Sequence, residues 1–202
     1  MNIIQDFIPA GRRNRPGIKL TGPKYITIHD TANPANGADA LMHARYLKGD
    51  DAANRPASWH FTVDDQRVVQ HLPLDEVAWH AGDGSKGPGN TSSIAIEICE
   101  NVDGDRAKAE ANAAELVAQL LRQFGLSLDA VVQHNRWTGK DCPRIIRHRP
   151  GGWDGFLAAV KARLETKKPL EPTPAPVSAA PADEVSAWAR EARDWAVSRG
   201  IT

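Results

Sequence analysis

The chain has 202 residues, of which 41% are hydrophobic, and its 25 basic residues balance 25 acidic ones at a pI near 7.1. This length accommodates one sizeable domain with a small appendage, and the apolar content is typical of a globular protein. The balanced charge argues against a polybasic nucleic-acid binder. No apolar run reaches the roughly 20 residues that span a bilayer, so we expect no membrane insertion.

Segments that resemble strands alternate with segments that resemble helices over residues 1–165. Runs rich in β-branched and aromatic residues predict strands at residues 24–30, 58–64, 67–72, 93–99 and 130–134. Apolar residues at three- and four-residue steps predict helices at residues 39–47, 106–124 and 152–165. Asp64, Asp65 and Gln66 predict a hairpin turn, and Gly125 a left-handed helix end. The sequence therefore predicts a sheet covered by helices, in the α/β or α+β class.

One carboxylate interrupts the apolar pattern of a predicted strand. Side chains alternate across a strand, so three isoleucines of residues 93–99 share one face and Glu97 lies on the other, between Ala95 and Cys99. Burying a carboxylate there costs several kcal/mol unless a cation or hydrogen-bond donors compensate. Such a break of a local rule often marks a functional site. A surface position on an edge strand is the alternative for Glu97.

A histidine and a cysteine near the end of the last predicted strand suggest a metal site. Cys142 follows His134 by eight residues, so a loop can fold back and bring imidazole and thiolate to one ion. Zinc favours nitrogen and sulfur donors, and a catalytic zinc keeps three protein ligands. His29, at the carboxyl end of the first predicted strand, is the natural third ligand. The spacing alone is a weak signal, because most such histidine–cysteine pairs bind no metal, and an ordinary strand-end histidine is the alternative for His29.

The two cysteines and the amino terminus bear on where the protein is made. Residues 1–14 lack a positively charged segment followed by a long apolar stretch, so no secretory signal is recognisable. We therefore expect synthesis in the cytoplasm, where disulfides are rare. A bond between Cys99 and Cys142 is the alternative, and cytoplasmic synthesis disfavours it.

Five motifs, in order along the chain, resemble one known family. They are HDTAN at 29–33, SWHFTVDD at 58–65, AWHAGDG at 78–84, GPGNTSSIAIEIC at 87–99 and QHNRWTGKDCP at 133–143. Together they resemble the N-acetylmuramoyl-L-alanine amidases of the type 2 amidase family, in its phage endolysin and bacillus autolysin branch. The resemblance covers about residues 25–164. It implies the fold of the peptidoglycan-recognition proteins: a mixed central β-sheet flanked by helices, with a zinc groove at the rim of the sheet.

The resemblance also implies roles for individual residues. It makes His29, His134 and Cys142 ligands of Zn²⁺, and it makes Glu97 and Lys140 catalytic. Trp79 and His80 of the AWHAGDG motif are candidates for contact with the substrate, with a structural role in a loop as the alternative.

Two positions depart from the family pattern. Trp59 stands where other amidases of the fold place a functional tyrosine, and an indole has no hydroxyl to offer. This departure shifts the burden of proton transfer onto Glu97. Asn135 stands where many relatives have a second histidine, although the ligand position His134 is intact.

The implied activity is hydrolysis of the amide bond between N-acetylmuramic acid and L-alanine in peptidoglycan, which would lyse bacterial cells. Glu97 would take the proton of the attacking water and deliver it to the departing nitrogen, while Lys140 would stabilise the oxyanion. The expected partner is peptidoglycan, reached after holin-dependent release or on cell lysis. Two other classes stay open: a module that binds muropeptides without cutting them, and a zinc peptidase that cuts within the stem peptide.

The composition changes abruptly after the predicted catalytic domain at residues 1–165. Residues 166–182 contain five prolines and predict an extended linker. Residues 183–202 have one amphipathic helix pattern that places Trp188 and Trp195 on the same face. One helix cannot bury two tryptophans alone, so we expect this helix to begin a cell-wall-targeting module, as in the S-layer-homology-type repeats it resembles, or to mediate self-association.

Overall fold

The structure, a computed structural model, describes residues 2–166. Its strands are β1 (Ile3–Gln5), β2 (Tyr25–Asp30), β3 (Phe61–Val63), β4 (Val68–Gln70), β5 (Ser93–Ile98) and β6 (Val131–Gln133). Its helices are α1 (Ala40–Lys48), α2 (Asp50–Ala53), α3 (Pro88–Ser92), α4 (Arg106–Phe124), α5 (Asn135–Thr138), α6 (Arg144–His148) and α7 (Gly152–Glu165). Except for Thr166, the predicted linker and C-terminal helix lie outside the described residues.

The six strands form one sheet in the order β1-β4-β3-β5-β2-β6. β3 and β4 pair antiparallel, and all other neighbours pair parallel. The predicted hairpin is confirmed, because the Asp64 carboxylate accepts hydrogen bonds from the backbone N–H groups of Gln66 and Arg67 at 2.7 and 2.6 Å. The sheet is therefore mixed, as the family resemblance implies.

The predicted strands differ from the observed ones mainly at their ends. The second and third predicted strands are shortened to β3 and β4, so residues such as His60 and His71 flank the ladder rather than belong to it. β1 was not predicted, because three residues carry too little periodicity to be distinguished from a loop. It pairs with β4 at one edge of the sheet.

The two longest helices, α4 and α7, have the bounds that their apolar periodicity predicts, and α1 is shifted by one residue from its predicted range. α4 begins after Asp105, whose side chain accepts a hydrogen bond from the Lys108 N–H, and ends at Gly125 in the left-handed conformation (φ 64°). α1 begins after Asp39, which caps the Met42 N–H at 2.7 Å. The helices of four or five residues were not predicted, since they span barely one turn. Within residues 2–166, no helix combines the length and apolar character needed to cross a bilayer.

Helices cover both faces of the sheet. The main core lies between one face and the helices α4 and α7, and strands β2 and β5 contribute to it five isoleucines with no exposed surface: Ile26, Ile28, Ile94, Ile96 and Ile98. α1 packs on the opposite face, where Ala40 and Ala44 form a small apolar cluster with Val69 and Cys99. Because β2, β5 and β6 are parallel, their carboxyl ends lie at the same end of the sheet. The candidate site lies at that end.

Candidate functional site

Strand alternation places two of the predicted site residues on the face opposite the main core. His29 near the end of β2 is paired in register with Glu97 near the end of β5. His134 follows β6, the other neighbour of β2, and its backbone N–H donates to the Ile28 carbonyl at 3.2 Å. Parallel pairing of β5, β2 and β6 therefore brings these three side chains to one end of the sheet.

The loop between His134 and Cys142 folds back as its length allows. The Asn135 side-chain amide donates to the carbonyls of Gly139 and Lys140 at 2.9 and 3.0 Å, and its backbone N–H donates to the Cys142 carbonyl at 3.0 Å. Gly139 adopts a positive φ of 75° at the turn. The Cys142 sulfur then lies 3.5 Å from the backbone nitrogen of Asp30, directly beside His29. Asn135, one of the two departures from the family pattern, thus stabilises this loop.

His29, His134 and Cys142 form a compact, buried group. Their candidate ligand atoms all lie within 4.8 Å of one another. His29 Nδ1 is 3.9 Å from Cys142 Sγ, and the two imidazole rings are 4.5 Å apart between centroids. The exposed fractions of the three residues are only 1%, 4% and 5%. The structure therefore brings together the three residues that the sequence analysis named as metal ligands.

The hydrogen bonds of the two histidines leave one nitrogen of each ring available. His134 Nε2 lies 3.1 Å from the Ala81 carbonyl, which can only accept, so Nε2 carries the proton. His134 Nδ1 is then an unprotonated, buried atom without a hydrogen-bond partner in the described residues. His29 Nε2 bonds His80, which leaves Nδ1 facing Cys142. Two free imidazole nitrogens and a sulfur are the donor set that zinc favours, so the residues fit such an ion.

Burial controls the protonation of these groups. The pKa of His29 lies well below its usual value, first because the ring is desolvated and then because its protonated form would be repelled by positive charge on His80, His134 or Lys140. Burial raises the pKa of the Cys142 thiol to about 12. The imidazoles are therefore neutral, the form that binds a metal, whereas the thiol needs a cation at the site to lose its proton.

Glu97 lies next to this group in an unusual environment. Its Oε1 is 3.8 Å from His29 Nδ1, and its side chain is 14% exposed. Its Oε2 is buried and has no hydrogen-bond partner in the described residues. Burial, with a smaller contribution from Asp30, raises the pKa of Glu97 to about 8, although Lys140 opposes the shift. A carboxyl group of this kind can both accept and release a proton near neutral pH.

A groove of about 720 Å³ opens beside the cluster. Its lining includes four residues that the sequence analysis named: Trp79, His80, His134 and Lys140. Lys140 is exposed, and Trp79 also packs against the main core. Both His80 ring nitrogens lie within hydrogen-bonding distance of protein groups, so substrate contact through them stays a prediction.

Three residues of the groove region were not identified as functional candidates from the sequence. Asn90 accepts hydrogen bonds from the backbone N–H groups of His80 and Ala81, both at 2.8 Å, and Asp83 accepts one from the Gly89 N–H at 2.6 Å. Asn90 lines the groove, and with Asp83 it holds the glycine-rich loop in shape. Arg13 lines the groove from a segment far away in sequence, and no local signal identifies it.

The second departure from the family pattern lies away from the groove lining. The Trp59 indole packs beside Ile8, Leu47 and Leu72, and its N–H donates to the Thr62 hydroxyl at 2.7 Å. Trp59 therefore fills a small satellite core.

Cys99 is a buried free thiol, as is Cys142, so the disulfide alternative is excluded for these two residues.

Comparison with known proteins identifies relatives of this chain. The curated N-acetylmuramoyl-L-alanine amidase XlyA of Bacillus subtilis (strain 168) is 57% identical over 160 residues, which are 79% of this chain and 51% of that protein. This chain therefore spans about half the length of that relative. The solved structure of the catalytic domain of XlyA matches with a TM-score of 0.74 at 56% identity, covering 79% of this chain and 99% of that one.

A more distant structure extends the fold comparison. Drosophila peptidoglycan recognition protein SD matches with a TM-score of 0.54 at 17% identity over 74% of this chain and 95% of that one, which confirms the expected fold alone. The family model described as Amidase_2, N-acetylmuramoyl-L-alanine amidase, matches residues 19–145. This match includes the metal-site cluster, Glu97 and Lys140, and it covers more than half of the chain. The chain therefore belongs to the Amidase_2 family of N-acetylmuramoyl-L-alanine amidases.

Proposed function

We propose that this chain is a zinc-dependent amidase that hydrolyses the bond between the lactyl group of N-acetylmuramic acid and the L-alanine of the stem peptide. One observation carries the proposal. A buried two-histidine, one-cysteine cluster, in which His134 Nδ1 lacks a hydrogen-bond partner in the described residues and His29 Nδ1 faces Cys142, lies beside a carboxyl group whose pKa is about 8, next to a groove. Family membership and the activity for which XlyA is named support the same reaction class.

The proposed ligands are His29 Nδ1, His134 Nδ1 and Cys142 Sγ. Zinc bound there would polarise the amide carbonyl and lower the pKa of a water molecule. The cluster supplies three protein ligands, and this number is typical of catalytic rather than structural zinc sites.

Glu97 is the group that moves protons in this proposal. Its carboxylate accepts a proton from the water that attacks the carbonyl carbon, and the protonated carboxyl then gives that proton to the L-alanine nitrogen as the C–N bond breaks. The products are a free lactyl carboxylate on the glycan and a peptide with a free amino terminus. Trp59 donates its N–H to Thr62 and lacks a hydroxyl, so it offers no substitute for Glu97.

Lys140 is the candidate for stabilising the negative charge that develops on the carbonyl oxygen. It lines the same groove as His134, and its charge lowers the pKa values of His29, His134 and Glu97, so its potential extends over the cluster. A fixed positive charge near a developing oxyanion lowers the barrier of acyl transfer.

The groove lining suits an anionic muramyl peptide. Arg13 and Lys140 contribute positive charge, and no aspartate or glutamate is among the described lining residues. Stem peptides carry free carboxylates that these cations can pair with. Trp79 offers an aromatic face for a sugar ring or an alanine methyl group.

The wider biological setting belongs to the same proposal. The catalytic domain comprises residues 1–165, residues 166–182 form a linker, and residues 183–202 begin a module for cell-wall attachment or self-association. The protein acts as an endolysin or autolysin, made in the cytoplasm and reaching peptidoglycan through a holin or on cell lysis. The proline composition of the linker segment supports this division.

Mass spectrometry of purified sacculi digested by the full chain tests the proposal. We expect glycan strands with free lactyl carboxylates and peptides that begin with free L-alanine. A chelator should abolish their release, and added Zn²⁺ should restore it. Cleavage within the stem peptide would instead indicate a peptidase, and binding of sacculi without any cleavage would indicate a recognition module. Either result overturns the amidase assignment.

A further inference from the structure

A chain of hydrogen bonds runs from His29 away from the metal-site cluster. His29 Nε2 lies 3.0 Å from His80 Nδ1, His80 Nε2 lies 3.2 Å from the Ser93 hydroxyl oxygen, and that hydroxyl lies 2.6 Å from the Gly89 carbonyl. Ser93 has no exposed surface, and His29 is 1% exposed. None of the catalytic roles proposed above uses this series of hydrogen bonds.

The last acceptor of this hydrogen-bond chain, the Gly89 carbonyl, fixes the direction of every hydrogen bond in it. The Gly89 carbonyl can only accept, so the Ser93 hydroxyl proton points to it, and the Ser93 oxygen must accept from its other neighbours. Thr27 is one such neighbour: its hydroxyl accepts from the Trp137 indole N–H at 3.0 Å and donates to Ser93 at 2.9 Å.

The same reasoning assigns the protons of both histidines. His80 must donate from Nε2 to Ser93, so its Nδ1 carries the lone pair. That lone pair accepts from His29 Nε2–H, and the lone pair of His29 is therefore on Nδ1. This atom faces Cys142 Sγ at 3.9 Å and Glu97 Oε1 at 3.8 Å.

We propose that His80 is a positioning residue that, anchored by Ser93, holds His29 in the Nε2–H tautomer and keeps its Nδ1 directed into the metal-site cluster. The metal-binding part of this inference rests on the proposed function. His29 depends on a side chain for its orientation, whereas His134 is oriented by the Ala81 backbone carbonyl. His29 is thus the proposed ligand whose orientation a substitution of its neighbour His80 can change.

The backbone around His80 keeps the ring in place. The N–H groups of His80 and Ala81 both donate to the Asn90 side-chain oxygen at 2.8 Å. The His80 and His29 rings meet edge to face, with centroids 5.0 Å apart. With both nitrogens engaged, the ring acts through His29 rather than through a hydrogen bond to substrate.

Two substitutions of His80 separate positioning from packing. An asparagine can place its side-chain oxygen near the position of Nδ1 and still accept from His29 Nε2–H, whereas phenylalanine fills the volume and accepts nothing. We expect His80→Phe to weaken zinc binding roughly 10- to 100-fold in a competition titration with a chromogenic chelator, and His80→Asn to stay within about threefold of wild type.

Long-range ¹H–¹⁵N correlation spectra of the metal-free full chain give a direct readout of the tautomer. In the wild type and in His80→Asn, His29 should carry its proton on Nε2 and have a bare Nδ1. In His80→Phe, the spectra should report a mixture of the two tautomers. Because no zinc is present, this measurement stays interpretable even if the chain proves not to be an amidase.

Ser93→Ala keeps the test decisive if the phenylalanine variant fails to fold. It removes the acceptor of His80 Nε2–H, so the tautomer preference of His29 should weaken and zinc affinity should fall several-fold. Ser92→Ala is the matched control, because the adjacent serine is only half-buried, lies outside the hydrogen-bond chain, and its hydroxyl likewise donates to a backbone carbonyl, that of Pro88 at 2.6 Å. Unchanged tautomer and affinity in Ser93→Ala overturn the proposal, as does an asparagine variant that binds zinc as poorly as a folded His80→Phe.

Discussion

The two faces of the central sheet are built from the same strands and differ in almost every other respect. On one face, the isoleucines of β2 and β5 have no exposed surface and pack beneath α4 and α7. On the other face, the alternate positions carry polar groups that are also largely buried: Thr27, His29, Thr62 and Glu97. The first face is stabilised by removing apolar surface from water, and the second, apart from its smaller apolar contacts with α1, by pairing polar atoms.

The pairing on the polar face is incomplete at the site. Thr27 and Thr62 are fully engaged with Trp137, Ser93, Trp59 and His71. Glu97 Oε2 and His134 Nδ1 are buried without hydrogen-bond partners in the described residues. Such atoms cost stability unless a ligand or a proton uses them. The contrast between the faces therefore predicts that substitutions on the polar face alter activity, whereas those on the apolar face alter stability.

The largest expected effect comes from Glu97→Gln. Glutamine preserves the shape of the side chain but cannot accept the proton, so kcat on muramyl-peptide substrate should fall about 10²- to 10⁴-fold. Zinc content and the melting temperature should not fall, because the substitution removes a poorly paired carboxyl group. Glu100→Gln is the control, a nearby carboxyl group near the end of the same strand, and should stay within about threefold of wild type. Near-full activity of zinc-loaded Glu97→Gln would falsify the assigned role.

Ile96→Ala should sharpen the contrast from the apolar face. Ile96 has no exposed surface, and removing its buried methyl and methylene groups should lower the free energy of unfolding by about 2 to 5 kcal/mol. The folded variant should retain kcat within about twofold at a temperature below its transition. Urea denaturation measures the loss, and Ile4→Ala on the edge strand, where Ile4 is 39% exposed, serves as the control with a change within about 0.5 kcal/mol. A large loss of kcat in folded Ile96→Ala contradicts the division of roles.

The polar face should also make stability depend on pH. His71 bonds Thr62 at 2.8 Å, has no exposed surface, and burial lowers its pKa to about 3. Because the unfolded chain binds a proton at this residue below about pH 6.5 and the native state does not, stability should fall as pH drops from 6.5 towards 3, by about 1.4 kcal/mol per pH unit for this group.

The variant His71→Gln isolates that contribution. Urea denaturation between pH 6 and pH 4 gives the number of protons taken up on unfolding from the slope of the free energy against pH. That number should be smaller by about one in the variant than in the wild type. His60, whose pKa burial lowers to about 4, should continue to contribute in both proteins. An unchanged slope contradicts the assignment to His71.

The smallest expected effect concerns the rim of the groove. Arg13→Ala should raise KM about three- to tenfold for a muramyl peptide with free stem carboxylates, a small effect because a single exposed ion pair contributes little. The KM for the same peptide in amidated form should change little, because that peptide has no carboxylate for Arg13 to pair with. The kcat should remain within about twofold. Arg12→Ala is the control, since Arg12 bonds the Lys48 carbonyl and is not among the groove-lining residues. Equal KM changes for both peptides contradict a charge-specific role.

Much of the fold was accessible from sequence because its main elements are periodic. α4 and α7 have the bounds that their apolar spacing predicts, and Glu97 was identified because it broke the pattern of β5. β1 and the short helices were missed, since three to five residues carry little periodicity. Arg13 and Asn90 were missed for another reason: their importance depends on where distant segments lie, and nothing in their own neighbourhoods indicates it.

The sequence by itself determined which side chains share a strand face, where the long helices begin and end, and that a loop of this length can return Cys142 towards His134. Only the tertiary structure decided which ring nitrogens are free. The hydrogen-bond partners of His29 and His134 are His80 and the Ala81 carbonyl, which lie 51 and 53 positions away in the chain. A tautomer is set by such partners, and these partners reach the two histidines only because the tertiary fold brings the loop at residues 78–84, held by Asn90, beside the carboxyl ends of β2 and β6.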